Sequence, residues 1–397
     1  MDTSFISNYL ENSSSDEHFM ALAVQEALKG EGFVRPNPLV GAVIVKDKKI
    51  LATGFHKKYG ELHAERDALK NAKEKGVSVQ GATIYVTLEP CCHTGKQPPC
   101  TEAIIQSGIK RVVTGSSDPN PLVNGKGIKQ LEENGIQVTQ GVLKNECDSI
   151  NKIFFHYIKT KMPYVILKYA CSADGKTALP SGKQAWLSGN LSRQNVHLTR
   201  AYVKAVLTGV STVIKDDPLL TARLDDGIKH FQPDHIVADS HLSIPPEANL
   251  VKMAKDFPLT VVCTKNLSED QAQKKEALIK KGVKIIQTDS TKEGRVNIRQ
   301  MLELLAQDGT DSILVESGGT LASSFLLPPL VQKIQCYVCP LIIGQSSYTP
   351  VRGAEGLENG IKNIGEALKL TKPRVSFFES DVLLEYELKE ENQCSQE

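Results

Sequence analysis

The chain has 397 residues, 40% of them apolar, which is enough for two cores of ordinary domain size. Lys plus Arg number 47 and Asp plus Glu 46, so the net charge of +1 gives no general attraction to nucleic acid or to an anionic membrane. Nine cysteines scattered over so long a chain do not read as a disulfide framework, and no run of about 18 apolar residues is present to span a membrane.

Residues 1–15 are rich in Ser and Asn and read as a flexible N-terminus. Residues 1–17 have no basic start and no apolar run, so neither a secretory signal nor a transit peptide is expected, and the expected location is cytoplasmic. Helical spacing begins at Phe19, with Met20, Ala23, Val24 and Ala27 on one side, and stops at Gly30. Residues 39–45 and 50–54 read as a hairpin about the charged turn 46–49. A helix over 63–74, a strand over 83–88, a helix over 101–107 and a strand over 111–115 follow. A helix over 128–134 and a strand over 136–139 complete an α/β layered domain at 16–148. Residues 144–162 look like a helical connector ending before Pro163, of which 149–162 lie between the domains.

A second α/β pattern occupies 163–390, with 391–397 as a flexible tail. Its strands are expected at 164–169, 205–207, 235–239, 260–264, 283–287 and 312–316, with helices at 268–281 and 298–306. Residues 192–204 carry a helix pattern that ends at Lys204. Residues 336–343 and 375–388 read as paired strands, with Cys336 and Cys339 on opposite faces, which disfavours a redox pair. His156 and His197 read as ordinary helix residues. No internal repeat relates the halves.

His63-Ala64-Glu65, Glu89-Pro90-Cys91 and Pro98-Pro99-Cys100 carry the chemistry. Zinc takes imidazole and thiolate readily, and a catalytic site keeps three protein ligands and one open position. His63, Cys91 and Cys100 make such a set, and a metal there makes water a nucleophile near pH 7. Glu65, close but not a ligand, would shuttle the protons. The ligand set and the His-x-Glu element are those of zinc nucleobase deaminases. A closed zinc knuckle, with Cys92 or His93 as fourth ligand, would leave Glu65 unexplained; buried inert Cys and His would leave the whole pattern so.

Residues 87–100, Pro36-Asn37-Pro38-Leu39-Val40-Gly41, Gly54-Phe55-His56 and Asp118-Pro119-Asn120-Pro121 closely resemble the deaminase domain of bifunctional riboflavin-biosynthesis deaminase/reductases. The family's eight residues between Cys91 and Cys100 replace the usual two. The resemblance implies a cytidine-deaminase-like α/β/α fold, a zinc ion, and a substrate that is a diaminopyrimidinone bearing ribose 5-phosphate. It implies substrate contacts at Asn37, His56, His93, Lys96, Asp118 and Asn120.

Beyond residue 163, Lys168-Tyr169-Ala170, Trp186-Leu187-Ser188-Gly189, Gly209-Val210-Ser211-Thr212 and Asp216 to Arg223 resemble the same family's reductase half. Glu316-Ser317-Gly318-Gly319 follows a strand and opens a helix, a turn suited to an anion, although no Gly-x-Gly-x-x-Gly is present. The resemblance implies a dihydrofolate-reductase-like α/β fold that uses NADPH. Ala170, Trp186, Thr212, Asp216, Ser240 and Gly318 would line the cofactor; Gln184, Arg200, Leu220, Arg223 and Glu316 would line the substrate. The chain departs from the family at Lys204 and Gln332, where Asp is common, and at Gly319, where Pro is.

The expectation is a bifunctional enzyme: a zinc hydrolase that deaminates a cyclic amidine, and an NADPH-dependent oxidoreductase. Its partner is a small pyrimidine nucleotide, with neither nucleic acid nor membrane, and a homo-oligomer is expected. The rivals are a nucleic-acid-editing deaminase, disfavoured by charge and by 6% aromatics, and a zinc-stabilised nucleotide-binding regulator with a degenerate reductase half, which Lys204 keeps open.

Overall fold

Along β1 (Gly41–Lys46) successive side chains go to opposite faces, and both faces are apolar, with Val43 and Val45 on one and Ala42 and Ile44 on the other. Such a strand must be covered on both sides. The computed structural model describes residues 6–10, 15–93, 97–120, 123–181, 186–227, 230–326, 329–346, 348–353 and 363–389. In it, β1 lies within a sheet of order β2-β1-β3-β4-β5, where β2 is Lys49–Phe55, β3 Thr83–Leu88, β4 Arg111–Ser116 and β5 Gln137–Thr139. β1 is antiparallel to β2 and β3, and β3, β4 and β5 are parallel. The β1–β2 hairpin turns through Asp47 and Lys48, both left-handed (φ 50° and 61°), the geometry whose twist suits a two-residue turn.

The helix Asp16–Leu28 lays Phe19, Met20, Ala23, Val24 and Ala27 against Val43, Val45, Tyr85 and Val113. On the other face, Ala64 and Ala68 of the helix Ala64–Glu74 pack with Ile84, Val86, Ile104 and Leu131. Gly54 makes this close approach possible, because a Cβ there would lie 2.2 Å from the Ala68 backbone nitrogen. The chain divides between Thr160 and Lys161. Helices Lys144–Ser149 and Lys152–Thr160 therefore belong to the first unit, whose core takes Cys147 and Ile150. The Asn151 amide clasps Leu39, accepting from its N–H at 2.8 Å and donating to its carbonyl at 2.9 Å.

The second unit carries nine strands among the described residues, in the order β10-β9-β8-β7-β11-β6-β12-β14-β13. They are β6 (Tyr164–Ser172), β7 (Ala205–Gly209), β8 (Asp234–Ala238), β9 (Leu259–Thr264), β10 (Lys284–Thr288), β11 (Ser312–Val315), β12 (Lys333–Cys339), β13 (Arg374–Phe378) and β14 (Asp381–Glu387). β10 through β12 are parallel, and β14 and β13 add an antiparallel hairpin. The chain steps outward from β7 to β10, then returns to insert β11 between β7 and β6. Ligands of open α/β sheets bind at such a reversal. Leu167, Leu207, Val315, Met301, Leu305 and Phe325 fill the core beneath it.

Three expectations change. The strand expected over 336–343 stops at Cys339, because the Asp174 carboxylate accepts from the N–H groups of Ile343 and Gly344 and holds them as a loop. The expected strand 375–388 is two strands, broken at left-handed Glu379 (φ 55°). The helix expected to reach Lys204 is Asn190–Tyr202, ended by an extended Val203. No helix among the described residues is long and apolar enough to cross a membrane.

Candidate active sites

His63 is the N-cap residue of the helix Ala64–Glu74, with extended backbone and no side-chain cap bond. Its ring reaches instead to two thiols. Cys91 follows the end of β3, and Cys100 opens the helix Cys100–Gln106. His63 Nδ1 lies 3.5 Å from Cys91 Sγ and 3.4 Å from Cys100 Sγ. Zinc bonds of about 2.3 Å to sulfur and about 2.0–2.1 Å to nitrogen, at a tetrahedral angle, imply an N···S separation of about 3.6 Å. The three donors therefore fit the ion. Among the described residues no other group of His, Cys, Asp or Glu is so clustered, and neither Cys92 nor His93 joins this one, which argues against a closed knuckle.

The Glu89 carboxylate fixes the end of β3 by accepting from the N–H groups of Gly125 (3.0 Å), Gly127 (3.1 Å) and Ile128 (3.4 Å) at the start of the helix Lys126–Glu133. Cys100, and then His63, donate toward Cys91 and hold its thiol down to about 4; the same contact, with burial, pushes the Cys100 thiol up. Glu65 sits in the first turn of its helix, 3% exposed. Burial, and next the charge on Cys91, push its carboxyl up to about 6, so it can take or give a proton near neutrality.

A cavity of about 260 Å³ is lined by His63, Glu65 and Cys91 together with Asn37, His56, His93, Asp118 and Asn120. Lys96 lies outside the described residues. His56 Nδ1 donates to the Leu62 carbonyl at 2.9 Å, so its Nε2 is an acceptor, met by the Asn37 amide nitrogen at 3.0 Å. Burial lowers the His56 pKa, against the hydrogen bond to the Leu62 carbonyl. Asp118 accepts from the Asn120 N–H at 2.8 Å, and burial pushes its carboxyl up to about 6. Tyr59, Glu61 and Phe154 also line the cavity and carried no signal in the sequence; Gln97, which lines it too, lies within the motif 87–100 with no role implied there.

In the second unit, Arg200 meets Glu316 just past β11, and Lys168 Nζ lies 3.9 Å from the same carboxylate. Burial favours the neutral acid, but Arg200 and Lys168 outweigh it and hold Glu316 at about 2. Arg200 Nη1 also donates to the Thr221 carbonyl at 3.0 Å, and Arg223 Nη1 to Thr221 Oγ1 at 2.7 Å. Leu220, between them in the chain's loop, is buried and left-handed (φ 54°). Arg200, Leu220, Arg223 and Glu316 are thus brought together, while Gln184 lies outside the described residues. His197 joins them, its Nδ1 3.2 Å from the Thr221 carbonyl and 3.3 Å from the Arg223 nitrogen, and is not the ordinary helix residue its position suggested. Burial, then Arg200 and Arg223, push its ring down to about 4.

Ala170 on β6, Thr212 and Asp216 on the helix Val210–Asp216 after β7, Ser240 after β8 and Gly318 after β11 come from the carboxyl halves of neighbouring strands or just beyond them. Trp186 stands apart, 72% exposed with the Arg193 guanidinium 5.2 Å over its ring. Ser317 Oγ is buried with no hydrogen-bond partner among the described residues, beside Gly318, where a Cβ would meet nothing within 4 Å. An orphaned hydroxyl at a glycine turn opening the helix Gly319–Leu326 fits a phosphate-bearing cofactor. A Cβ at Gly319 would lie 2.3 Å from the Thr349 carbonyl, which accounts for glycine there.

Lys204 does not lie in the last helical turn. It pairs with Asp234 at 2.8 Å, level with Ser312, whose Oγ accepts its N–H at 2.9 Å. That is four residues before Glu316, about 13 Å along a strand. Gln332 clasps Val165 at the start of β6, its side chain accepting at 2.7 Å and its N–H donating at 3.0 Å. Cys336 faces Cys171 (Sγ to Sγ 4.0 Å) on the neighbouring strand rather than Cys339.

Two family models match the chain: the cytidine and deoxycytidylate deaminase zinc-binding region over residues 13–116, and the RibD C-terminal domain over residues 163–384. The riboflavin biosynthesis protein RibD of Actinobacillus pleuropneumoniae is 43% identical over 373 residues, covering 94% of this chain and 95% of that protein. The RibD of Aquifex aeolicus is 40% identical over 369 residues, covering 93% and 97%. The solved structure of Acinetobacter baumannii RibD is 34% identical, with a TM-score of 0.83 over 95% of this chain and 100% of that one. The Thermotoga maritima diaminohydroxyphosphoribosylaminopyrimidine deaminase/5-amino-6-(5-phosphoribosylamino)uracil reductase is also 34% identical, with a TM-score of 0.81 over 94% and 99%.

Proposed function

The chain belongs to the RibD family, and we propose that its first unit hydrolyses a ring amine of 2,5-diamino-6-ribosylamino-4(3H)-pyrimidinone 5′-phosphate, releasing ammonia. Its second unit then reduces the ribosylamino sugar to a ribitylamino chain with NADPH. As a family member it is a bifunctional deaminase and reductase of riboflavin biosynthesis, with a cytidine-deaminase-like unit and a dihydrofolate-reductase-like unit. The proposal extends to a deaminase domain at 16–148 and a reductase domain at 163–390, with residues 149–162 leading from one to the other by way of the first unit's last helix, Lys152–Thr160, and to a cytoplasmic homo-oligomer.

One observation carries the deaminase reading: the His63, Cys91 and Cys100 donors share a cavity with Glu65, a carboxyl that is not one of them. Zinc held by those three would supply the Lewis acidity that makes water a nucleophile near neutral pH. Glu65 takes a proton from the attacking water and gives it to the ring nitrogen; it then carries the second proton, from the hydroxyl now on the ring carbon, to the amine, which leaves as ammonia as the carbonyl forms. His56 orients the Asn37 amide, which presents its oxygen to the ring's donor edge. His93, Asp118 and Asn120 close the sugar-phosphate side, with Lys96 expected there.

In the second unit NADPH would supply hydride, held by Ala170, Trp186, Thr212, Asp216, Ser240 and the Gly318 turn. Arg223 and Arg200 face the sugar phosphate, and Leu220 and Gln184 complete that wall. Glu316, held ionised by Arg200 and Lys168, orients the ribose hydroxyls. The test is metal content and ammonia release from the full chain and from Cys100→Ala. About one zinc per chain in the native protein, lost with deamination in the variant, is expected. Full zinc and full activity in the variant would overturn the ligand set.

A further inference from the structure

The metal donors come from two arms of the chain, since His63 and Cys100 are 37 residues apart. Cys100 is tied to Cys91 by its own N–H, 3.5 Å from Cys91 Sγ, and by the Thr101 N–H, which donates to the Cys91 carbonyl at 3.2 Å. Neither bond holds Cys100 to the His63 arm. The segment just before Cys100 is Pro98-Pro99, and proline has no N–H. Its two peptide groups can accept but cannot donate, so a donor must come from elsewhere. It comes from Arg66, in the first turn of the helix that starts after His63 and carries Glu65. Arg66 Nε donates to the Pro98 carbonyl at 3.1 Å, and Arg66 Nη2 to the Pro99 carbonyl at 2.9 Å.

We propose that Arg66 is a positioning residue of the metal site, holding the Cys100 arm to the His63 helix through the two proline carbonyls. The inference rests on the reading of His63, Cys91 and Cys100 as the ligands. A planar guanidinium making two bonds in one fork fixes both the distance and the rotation of the segment, which a single ammonium cannot do. His63 Nδ1 sits 3.5 and 3.4 Å from the two thiols, and an arm held at that spacing by Arg66 leaves less ordering for the ion to impose. Residues that orient metal ligands change metal affinity by about 10–100-fold when removed. Gln97, whose amide donates to the Gly60 carbonyl at 3.1 Å, is a weaker, exposed tie of the same kind.

The experiment uses the full chain, stripped of metal and titrated with zinc against a chelating indicator. Melting is followed with and without zinc. Arg66→Ala is expected to weaken zinc binding about tenfold or more. The metal-free melting temperature and NADPH-dependent reduction by the second unit should not change. Arg66→Met keeps the apolar stem but neither donor, and should match Arg66→Ala; Arg66→Lys, able to meet one carbonyl, should fall between them and the native chain. Zinc affinity within about twofold of native in both Arg66→Ala and Arg66→Met would overturn the proposal, as would a metal-free melting temperature lowered as far as the zinc-loaded one. Cys100→Ala separates the two levels: if it keeps native affinity, the ligand reading fails and the role of Arg66 falls with it. If it loses zinc while the Arg66 variants do not, only the Arg66 inference fails.

Discussion

Arg200 and Glu316 stand 116 residues apart and meet as a two-bond ion pair, Nε to Oε1 at 2.6 Å and Nη2 to Oε2 at 3.1 Å. Both side chains are 13% exposed, so removing one partner leaves a buried charge, at a cost of about 3–5 kcal/mol. Burial pushes Glu316 up, but the pair with Arg200 and Lys168 wins and holds it at about 2 against an ordinary 4.5. A depressed carboxyl stabilises the fold fully above its unfolded value and loses that contribution as pH falls through the folded value. Unfolding of the second unit should therefore become easier between about pH 4.5 and 2. Glu316→Gln should melt lower at pH 7, and its deficit against the native chain should shrink across that window. Parallel melting curves at all pH values would contradict the ion pair's role.

Glu65→Gln keeps the shape of the side chain but cannot accept a proton. Zinc content should stay native while deamination falls by on the order of 10²-fold or more, as expected for loss of a general acid–base group. Ammonia release with parallel metal analysis checks this. Near-native turnover would mean that another group moves the proton.

Lys204, a departure from the Asp that the family resemblance implies, raised the prospect of a degenerate reductase. Its pair with Asp234 at the amino end of β7 and β8 makes it a support for the sheet rather than a part of the site. Lys204→Asp would set two carboxylates together and should cost about 1 kcal/mol, since the pair is part exposed. NADPH oxidation with the deaminated nucleotide should change little. No oxidation by the native chain, restored in the variant, would show a broken cofactor site.

The helix that carries Asn195, His197 and Arg200 begins at Gly189, which has no side chain to cap it. Asp381, from the far end of the unit, does so by accepting from the Gly189 N–H at 2.7 Å and Ser192 Oγ at 2.6 Å. Asp381→Ala should destabilise the second unit by about 0.5–2 kcal/mol, the usual size of a lost cap. It should also raise KM for the reducible substrate more than it lowers kcat. Unchanged melting and unchanged KM would refute the capping role.

Much of the first site was legible because its chemistry is local. His63, Glu65, Cys91 and Cys100 announce themselves by residue type at a telling spacing, and the β-branched run of β3 places Cys91 just past a strand end. The stripe from Phe19 to Ala27 identified its helix by periodicity alone. What was not legible depends on distant partners. His197 matters because the fold brings Thr221 and Arg223 to it, Arg66 because Pro98 and Pro99 arrive opposite, and Asp381 because it meets Gly189, at a helix start 192 residues earlier. The end of the helix before Lys204 depended on the extended backbone of Val203, which helical spacing does not reveal.

The central claim, one chain that deaminates and then reduces a single nucleotide, is tested by incubating the full protein with the diaminopyrimidinone ribosyl phosphate and weighing the products. Without NADPH, one product should form in which a ring amine has become a carbonyl, with ammonia released in equal amount. With NADPH, that product should gain a pair of hydrogens on the sugar chain as the cofactor is oxidised. An unchanged nucleotide in zinc-replete protein, or a deaminated product that NADPH never reduces, would contradict it.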